Sequence, residues 1–319
     1  MLKYLIVPLA RNSVSFCHYS EQDSNCGDMS PFVMPETLSK IVFWAMKENL
    51  SIQFIYPEAP VPDTLQSVIE RVDSVKIVPD TASDDKLLSI ADIVVSHNLN
   101  LDNKRQGKIY IVRLRFSELV DSVVNLKKLL QQSIKVNVVL TDVKNFTNDH
   151  LAAYRAFLHE MSDFIVDETL KNNSIRFNLI TDRMMLSEMN NCNAGFESIA
   201  VSHDGIFYPC PAFIGNKMME CGDVVHGFSN SIQRLFEITN APICKICDAF
   251  HCKRCVWLNQ CFTHEVNTPG WQQCVISHLE REAAKNTIEA IRRLVPGYMA
   301  EIEIPTIDYI DPYTKIEKL

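Results

Sequence analysis

The chain has 319 residues, of which 47% are hydrophobic and 22% charged, with a formal net charge of −8. That length supports one large domain or two smaller ones with a buried core, and the composition excludes both a disordered chain and a fibrous repeat. The acidic balance, with no stretch of recurring Lys and Arg interleaved with aromatics, argues against nucleic acid as a partner.

The predicted elements alternate. Short β-branched runs predict strands at Lys3–Val7, Ile52–Tyr56, Val75–Val78, Ile93–Ser96, Ile109–Leu114, Lys135–Leu140 and Arg176–Ile180, with helical patterns between them. Near Pro35 a helix runs through Leu38, Val42 and Met46. Ser117 is positioned to cap a second, with Glu118 and Asp121 in its first turn and Leu119, Val123, Leu126 and Leu130 along one face. A third begins at Asn148 and carries Leu151, Tyr154, Leu158, Met161 and Ile165. A C-terminal helix after Cys274 is marked by Val275, Ile276, Leu279, Ala283, Ile288, Ile291 and Leu294, and stops before Pro296–Gly297. Strand–helix repetition of this kind predicts an α/β fold. The expected form is a partial (β/α) barrel of six to seven parallel strands, followed by a small cysteine-rich domain and the C-terminal helix.

No apolar run reaches the roughly 18 residues that cross a bilayer, and the apolar start MLKYLIVPLAR lacks a small-x-small cleavage site. No membrane partner and a cytoplasmic location are expected. Glycine fills only 9 of 319 positions, with Gly27 and Gly107 alone before residue 195, so neither a phosphate loop nor a dinucleotide fingerprint can be drawn. No Gly-x-Ser-x-Gly elbow or His-Glu-x-x-His helix appears either, which removes two common hydrolase arrangements.

Cysteine divides the chain. Cys17 and Cys26 are the only two before Cys192, whereas nine lie between Cys192 and Cys274. In a chain with a long cysteine-poor half, such a cluster of soft thiolates points to metal rather than to a disulfide scaffold. The segment CKICDAFHCKRC holds two Cys-x-x-Cys pairs, Cys244 with Cys247 and Cys252 with Cys255, separated by four residues. Thiolates select zinc or iron–sulfur clusters over hard cations, and pairs this close suit two centres with interleaved ligands better than one tetrahedral ion. His203, His226, His251 and His264 lie in the same region and could serve zinc, although each reads first as an ordinary surface or capping histidine.

The order Cys192, Gly205-x4-Cys210, Cys244-x2-Cys247, Cys252, Cys255, Cys274 resembles the SPASM domain, the cysteine-rich extension of radical S-adenosylmethionine enzymes that mature peptides. The resemblance implies up to two [4Fe–4S] clusters as cofactors, one on Cys244, Cys247, Cys252 and Cys274, the other on Cys192, Cys210 and Cys255 with one iron lacking a protein cysteine. Cys221 and Cys261 are left without an assigned role, and either is a candidate for the eighth ligand. The stretches NCNAGFESIAVSHDGIFYPCPAFI and APICKICDAFHCKRCVWLNQCFTHEVNTPGWQQCVISHLER are, more specifically, similar to the CXXX repeat peptide maturases. That resemblance implies a cysteine-rich precursor peptide as partner, a separate maturation enzyme as a second one, and a division into a barrel over residues 1–190, a metal-binding domain over 191–275 and a helix and tail over 276–319.

In such enzymes the initiating cluster is held by Cys-x3-Cys-x2-Cys on the loop after the first strand. Here Ala10 and Val14 stand at the first two places and only Cys17 offers sulfur, while Tyr56–Pro57–Glu58–Ala59–Pro60 keeps just Glu and Pro of the segment that meets the methionine amine. The expectation is a degenerate barrel that does not cleave S-adenosylmethionine in the usual way, and S-adenosylmethionine is not expected as a working cofactor. Catalytic residues are not assignable from the sequence. Cys17 with His18, and Cys26, form a lesser candidate redox or metal pair. Two further readings compete with maturation: a noncatalytic zinc module that recruits a partner, and an iron–sulfur electron carrier.

Overall fold

The computed structural model describes residues 2–17, 32–102, 104–184, 186, 192–247, 249, 252 and 255–303. In chain order the elements are β1 (Tyr4–Pro8), α1 (Pro35–Lys47), β2 (Ser51–Ile55), α2 (Asp63–Ile69), β3 (Ser74–Pro79), α3 (Asp85–Ile90), β4 (Ile93–Ser96), β5 (Ile109–Leu114), α4 (Phe116–Asp121), α5 (Val123–Gln132), β6 (Lys135–Leu140), α6 (Asn148–Leu170), α7 (Thr181–Met184), β7 (Ser198–Val201), β8 (Phe207–Tyr208), β9 (Gly222–Asp223), β10 (Gly227–Phe228), α8 (Asn230–Leu235), α9 (Val256–Thr263) and α10 (Trp271–Leu294). The described residues fall into two compact units, one built from 2–17, 32–96 and 192–240, the other from 97–186 and 241–303. The cysteine-rich stretch therefore contributes to both.

In the first unit the strands run in the order β4-β3-β2-β1-β7-β8. All neighbours are parallel except the β7–β8 hairpin. Leu5, Val7, Phe54, Ile55, Ile77, Val78, Val95, Ile199 and Val201 are almost fully buried, as the near-continuous apolar strands of a covered parallel sheet require. Helix α1 starts with Pro35 in its first turn, where a missing N–H costs nothing, and buries Leu38, Ile41, Val42, Trp44 and Ala45. The Trp44 and Phe207 rings meet with centroids 4.4 Å apart.

The second unit carries β5 and β6, paired in parallel from Ile109↔Lys135 to Leu114↔Leu140. Helix α6 packs along α10. Its N-cap Thr147 accepts from the His150 N–H, and buried Leu151, Tyr154, Leu158, Met161 and Ile165 include every residue expected on its apolar face. Ser162 Oγ and Thr287 Oγ1 meet at 2.6 Å between the two helices.

The α/β architecture is as expected, with two local corrections. Arg176–Ile180 does not form a seventh strand in sequence; only the Val136↔Phe177 bridge survives. Backbone bonds link Val136 to Arg176 and Asn178, and then the Asn178 side chain takes over, its Oδ1 accepting from Val138 N–H at 2.8 Å and its Nδ2 donating to Val138 C=O at 2.9 Å. A side-chain amide satisfies the edge where a next strand residue would, and Thr181 Oγ1, accepting from the Phe177 N–H at 2.7 Å, turns the chain into α7. The helix expected from Ser117 is two helices, broken at Ser122 (φ −113°, ψ 20°). Its cap lies earlier than Ser117: the Arg115 N–H donates to Glu118 Oε2 at 2.8 Å.

Candidate metal centre

Helix α10 is the platform. Gly270 occupies its N-cap, a place where any added Cβ would lie 2.7 Å from the Phe262 ring, and Cys274 follows in the first turn. Ser277 and His278 come three and four residues after Cys274, so helical geometry puts all three on one side. Two tight backbone bonds mark turns here, Cys247 N–H to Cys244 C=O at 3.2 Å and Cys252 N–H to Ala249 C=O at 3.1 Å. These turns carry two sulfurs to α10. Ser277 Oγ donates to Cys252 Sγ at 3.2 Å, and Cys247 Sγ lies 3.6 Å from His278 Nε2. The Ala249 N–H also donates to Cys247 Sγ, at 3.3 Å.

Cys255 is the N-cap of α9, its sulfur accepting from the Leu258 N–H at 3.5 Å. Helix α9 ends at His264 in the left-handed region (φ 60°), so this histidine has a backbone role. The fully buried Asn259 secures the following turn through Nδ2 to Val266 C=O at 2.8 Å.

In the other unit, Gly205 makes the β7–β8 turn at φ 89°, a conformation that L side chains rarely adopt, and the short strand β8 leads to Cys210. Thus the Gly-x4-Cys spacing is that of a tight hairpin. Cys210 is buried; Cys192 is exposed, its carbonyl accepting from Ser198 Oγ at 3.3 Å. Among the described residues no three His, Cys, Asp or Glu side chains converge as a ligand set for a single ion.

The remaining candidates separate by environment. Cys221 is 1% exposed, and burial pushes its thiol up to about 12, so this sulfur is kept protonated and apolar. Burial also raises the Cys261 thiol. His226 is exposed and its Nδ1 meets Asp223 Oδ2 at 2.7 Å, an ordinary turn pair. Cys26, His18 and His251 lie outside the described residues. The sequence reading missed Ser277 and His278, although their spacing from Cys274 was a usable signal.

The loop after β1 is knitted to the end of β2. Buried Ser13 accepts from the Ala10 N–H at 3.0 Å and donates to Ile55 C=O at 2.8 Å, and the Val14 N–H reaches Tyr56 C=O at 3.2 Å. Positions 10 and 14 are therefore held at the carboxyl end of β1 and β2, and Cys17 follows on the same loop. Ala10 is buried, and Cys17 is the one sulfur among the three. After β2, Glu58 Oε1 accepts from Thr81 Oγ1 at 2.6 Å.

With this geometry in hand, known proteins offer one kind of likeness. No family model matches the chain, and no curated protein matches it. Solved structures do. The chain superposes on anSMEcpe with bound AdoMet at a TM-score of 0.62 and 12% identity, covering 93% of this chain and 97% of that one. For native anSMEcpe with bound AdoMet and Cp18Cys peptide the TM-score is 0.63 at 15% identity, covering 92% and 100%. Streptococcus suis SuiB matches over 73% of this chain and 67% of its own, with 13% identity and a TM-score of 0.45. The anSMEcpe enzyme is an anaerobic sulfatase-maturating radical S-adenosylmethionine enzyme of the SPASM type.

The chain thus shares the fold of the anSMEcpe structures. At this identity the likeness concerns fold. The matched anSMEcpe structures hold AdoMet, so the expectation against that cofactor draws no support from them. No helix among the described residues is long and apolar enough to cross a membrane.

Proposed function

We propose that this chain acts in the maturation of ribosomally made, cysteine-rich peptides, with an iron–sulfur domain that binds the precursor, transfers electrons, or both. The observation that carries the reading is the pair of sulfurs, Cys247 and Cys252, brought against α10, the helix that also carries Cys274, with N–H and O–H donors directed at them. Cysteine binds iron as thiolate, and hydrogen-bond donors around a ligand sulfur are the outer-shell partners such a site uses.

In this reading Cys244, Cys247, Cys252 and Cys274 hold one [4Fe–4S] cluster, and the second is the one that the SPASM resemblance implies. Such clusters supply electron transfer and a Lewis-acidic iron. The CXXX repeat precursor enters as substrate because a peptide thiol is the natural ligand for an iron with no protein cysteine. The barrel, with one sulfur at positions 10, 14 and 17, serves as scaffold and as a binding site for S-adenosylmethionine, while radical initiation falls to a separate maturation enzyme.

Anaerobic purification followed by iron, acid-labile sulfide and zinc analysis tests the metal. Roughly four to eight irons with matching sulfide per chain are expected for one or two cubane clusters; zinc without sulfide would replace this reading by that of a zinc module. Adding a synthetic peptide with cysteines every fourth residue should perturb the cluster spectrum, and an unperturbed spectrum counts against the precursor assignment. Reductive formation of 5′-deoxyadenosine by the isolated chain would overturn the scaffold role.

A further inference from the structure

Helices have a standard use for serine and threonine hydroxyls, which is to return them to the carbonyl one turn earlier. Thr287 does this on α10, donating to Ala283 C=O at 2.7 Å, and Thr263 does it on α9, donating to Asn259 C=O at 3.0 Å. Ser277, 6% exposed, instead donates to Cys252 Sγ. The next residue, His278, presents Nε2 to Cys247 Sγ. Adjacent positions of one helix thus address two different cysteines of one loop, 25 and 31 residues away in sequence.

Resting on the iron–sulfur reading above, we infer that Ser277 and His278 are positioning residues that set the reduction potential of the cluster held by Cys247 and Cys252, by donating hydrogen bonds to those ligand sulfurs. The physical reason is charge. A cluster gains negative charge on reduction, and its thiolate sulfurs carry part of it, so donors aimed at the sulfurs stabilise the reduced state more than the oxidised one and raise the potential. His278 fills this role in the tautomer with its proton on Nε2. The Ala249 N–H adds a third donor that no side-chain substitution removes.

The test uses the full chain, purified anaerobically and reconstituted with iron and sulfide, in wild-type, Ser277→Ala, His278→Leu and His278→Gln forms. Iron and sulfide content are read first, then midpoint potentials by redox titration at one fixed pH. The expected result is unchanged iron in all four, a shift of one midpoint to more negative potential in Ser277→Ala and His278→Leu, and a smaller shift or none in His278→Gln, which keeps an N–H donor. Full iron with unshifted potentials would overturn the inference while leaving the metal reading intact. Loss of iron from both His278 variants would make His278 a ligand and overturn its role as donor. Wild-type chain without iron and sulfide would instead refute the metal reading on which all of this rests. Ser277→Ala removes one oxygen from a helix interior and keeps the test available should the histidine variants not fold.

Discussion

The Tyr154 hydroxyl on α6 donates to Glu280 Oε1 on α10 at 2.6 Å, joining residues 126 apart in sequence inside the core of the second unit. Glu280 also pairs with Arg183 of α7, and both charged side chains are about 95% buried. Cys274, Ser277 and His278 lie within the two turns of α10 that precede Glu280. The network fixes the rotation of the helix that meets the sulfurs.

Removing one member of this network should cost more than a typical surface contact. Tyr154→Phe is expected to lower unfolding free energy by about 1.5–3 kcal/mol, the range for a hydrogen bond to a charged group. Glu280→Ala leaves the Arg183 guanidinium buried without its carboxylate, and about 3–5 kcal/mol is expected. Urea unfolding of the two variants in parallel checks the order, and equal small effects would count against the network.

Cys221 makes alkaline pH destabilising. Its thiol, ordinarily near 9, stands at about 12 in the fold because burial disfavours the thiolate. The unfolded chain therefore ionises first, so the contribution is complete below about 9 and is lost as pH rises from about 9 through about 12. Stability measured across that window should fall less steeply in Cys221→Ala than in wild type, and identical slopes would refute the assignment.

Cys221 and Cys261, the two cysteines after Cys192 that lie outside the proposed clusters, should be dispensable for iron. A Cys221→Ser/Cys261→Ser double variant is expected to retain its full iron, whereas Cys252→Ala should lose about half if two equal clusters are present. Anaerobic iron analysis decides between them. Iron loss in the double variant would return one of these sulfurs to the ligand set.

Gly222 cannot carry a side chain. Its φ is 124°, and a Cβ there would lie 2.0 Å from the Gly227 carbonyl oxygen across the β9–β10 pair. Gly222→Ala should destabilise by about 2–4 kcal/mol through backbone strain and displacement of that pair. Gly107, with φ 68° and open space around its Cβ position, provides the comparison, since Gly107→Ala carries the conformational penalty alone.

Much of this protein was legible along the chain. Ile93–Ser96, Ile109–Leu114 and Lys135–Leu140 were read residue for residue, and α6 and α10 kept the apolar faces that their 3.6-residue period announced. The absence of sulfur at Ala10 and Val14 and the crowding of nine cysteines from Cys192 to Cys274 are also facts of order alone. Such features are local, because periodicity, caps and spacing act over a few residues and are present before any packing.

Encounters between distant residues belong to the tertiary structure. The Asn178 amide took the bonds a strand at Arg176–Ile180 would have made, because Val138 of β6 lay within its reach. Cys221 became a core side chain while Cys192 stayed exposed, a difference of surroundings between identical residues. Which sulfur meets which residue of α10 was settled by the rotation of that helix against α6. Side-chain chemistry is written in the chain, but its electrostatic setting is made by the groups that packing brings within a few ångströms.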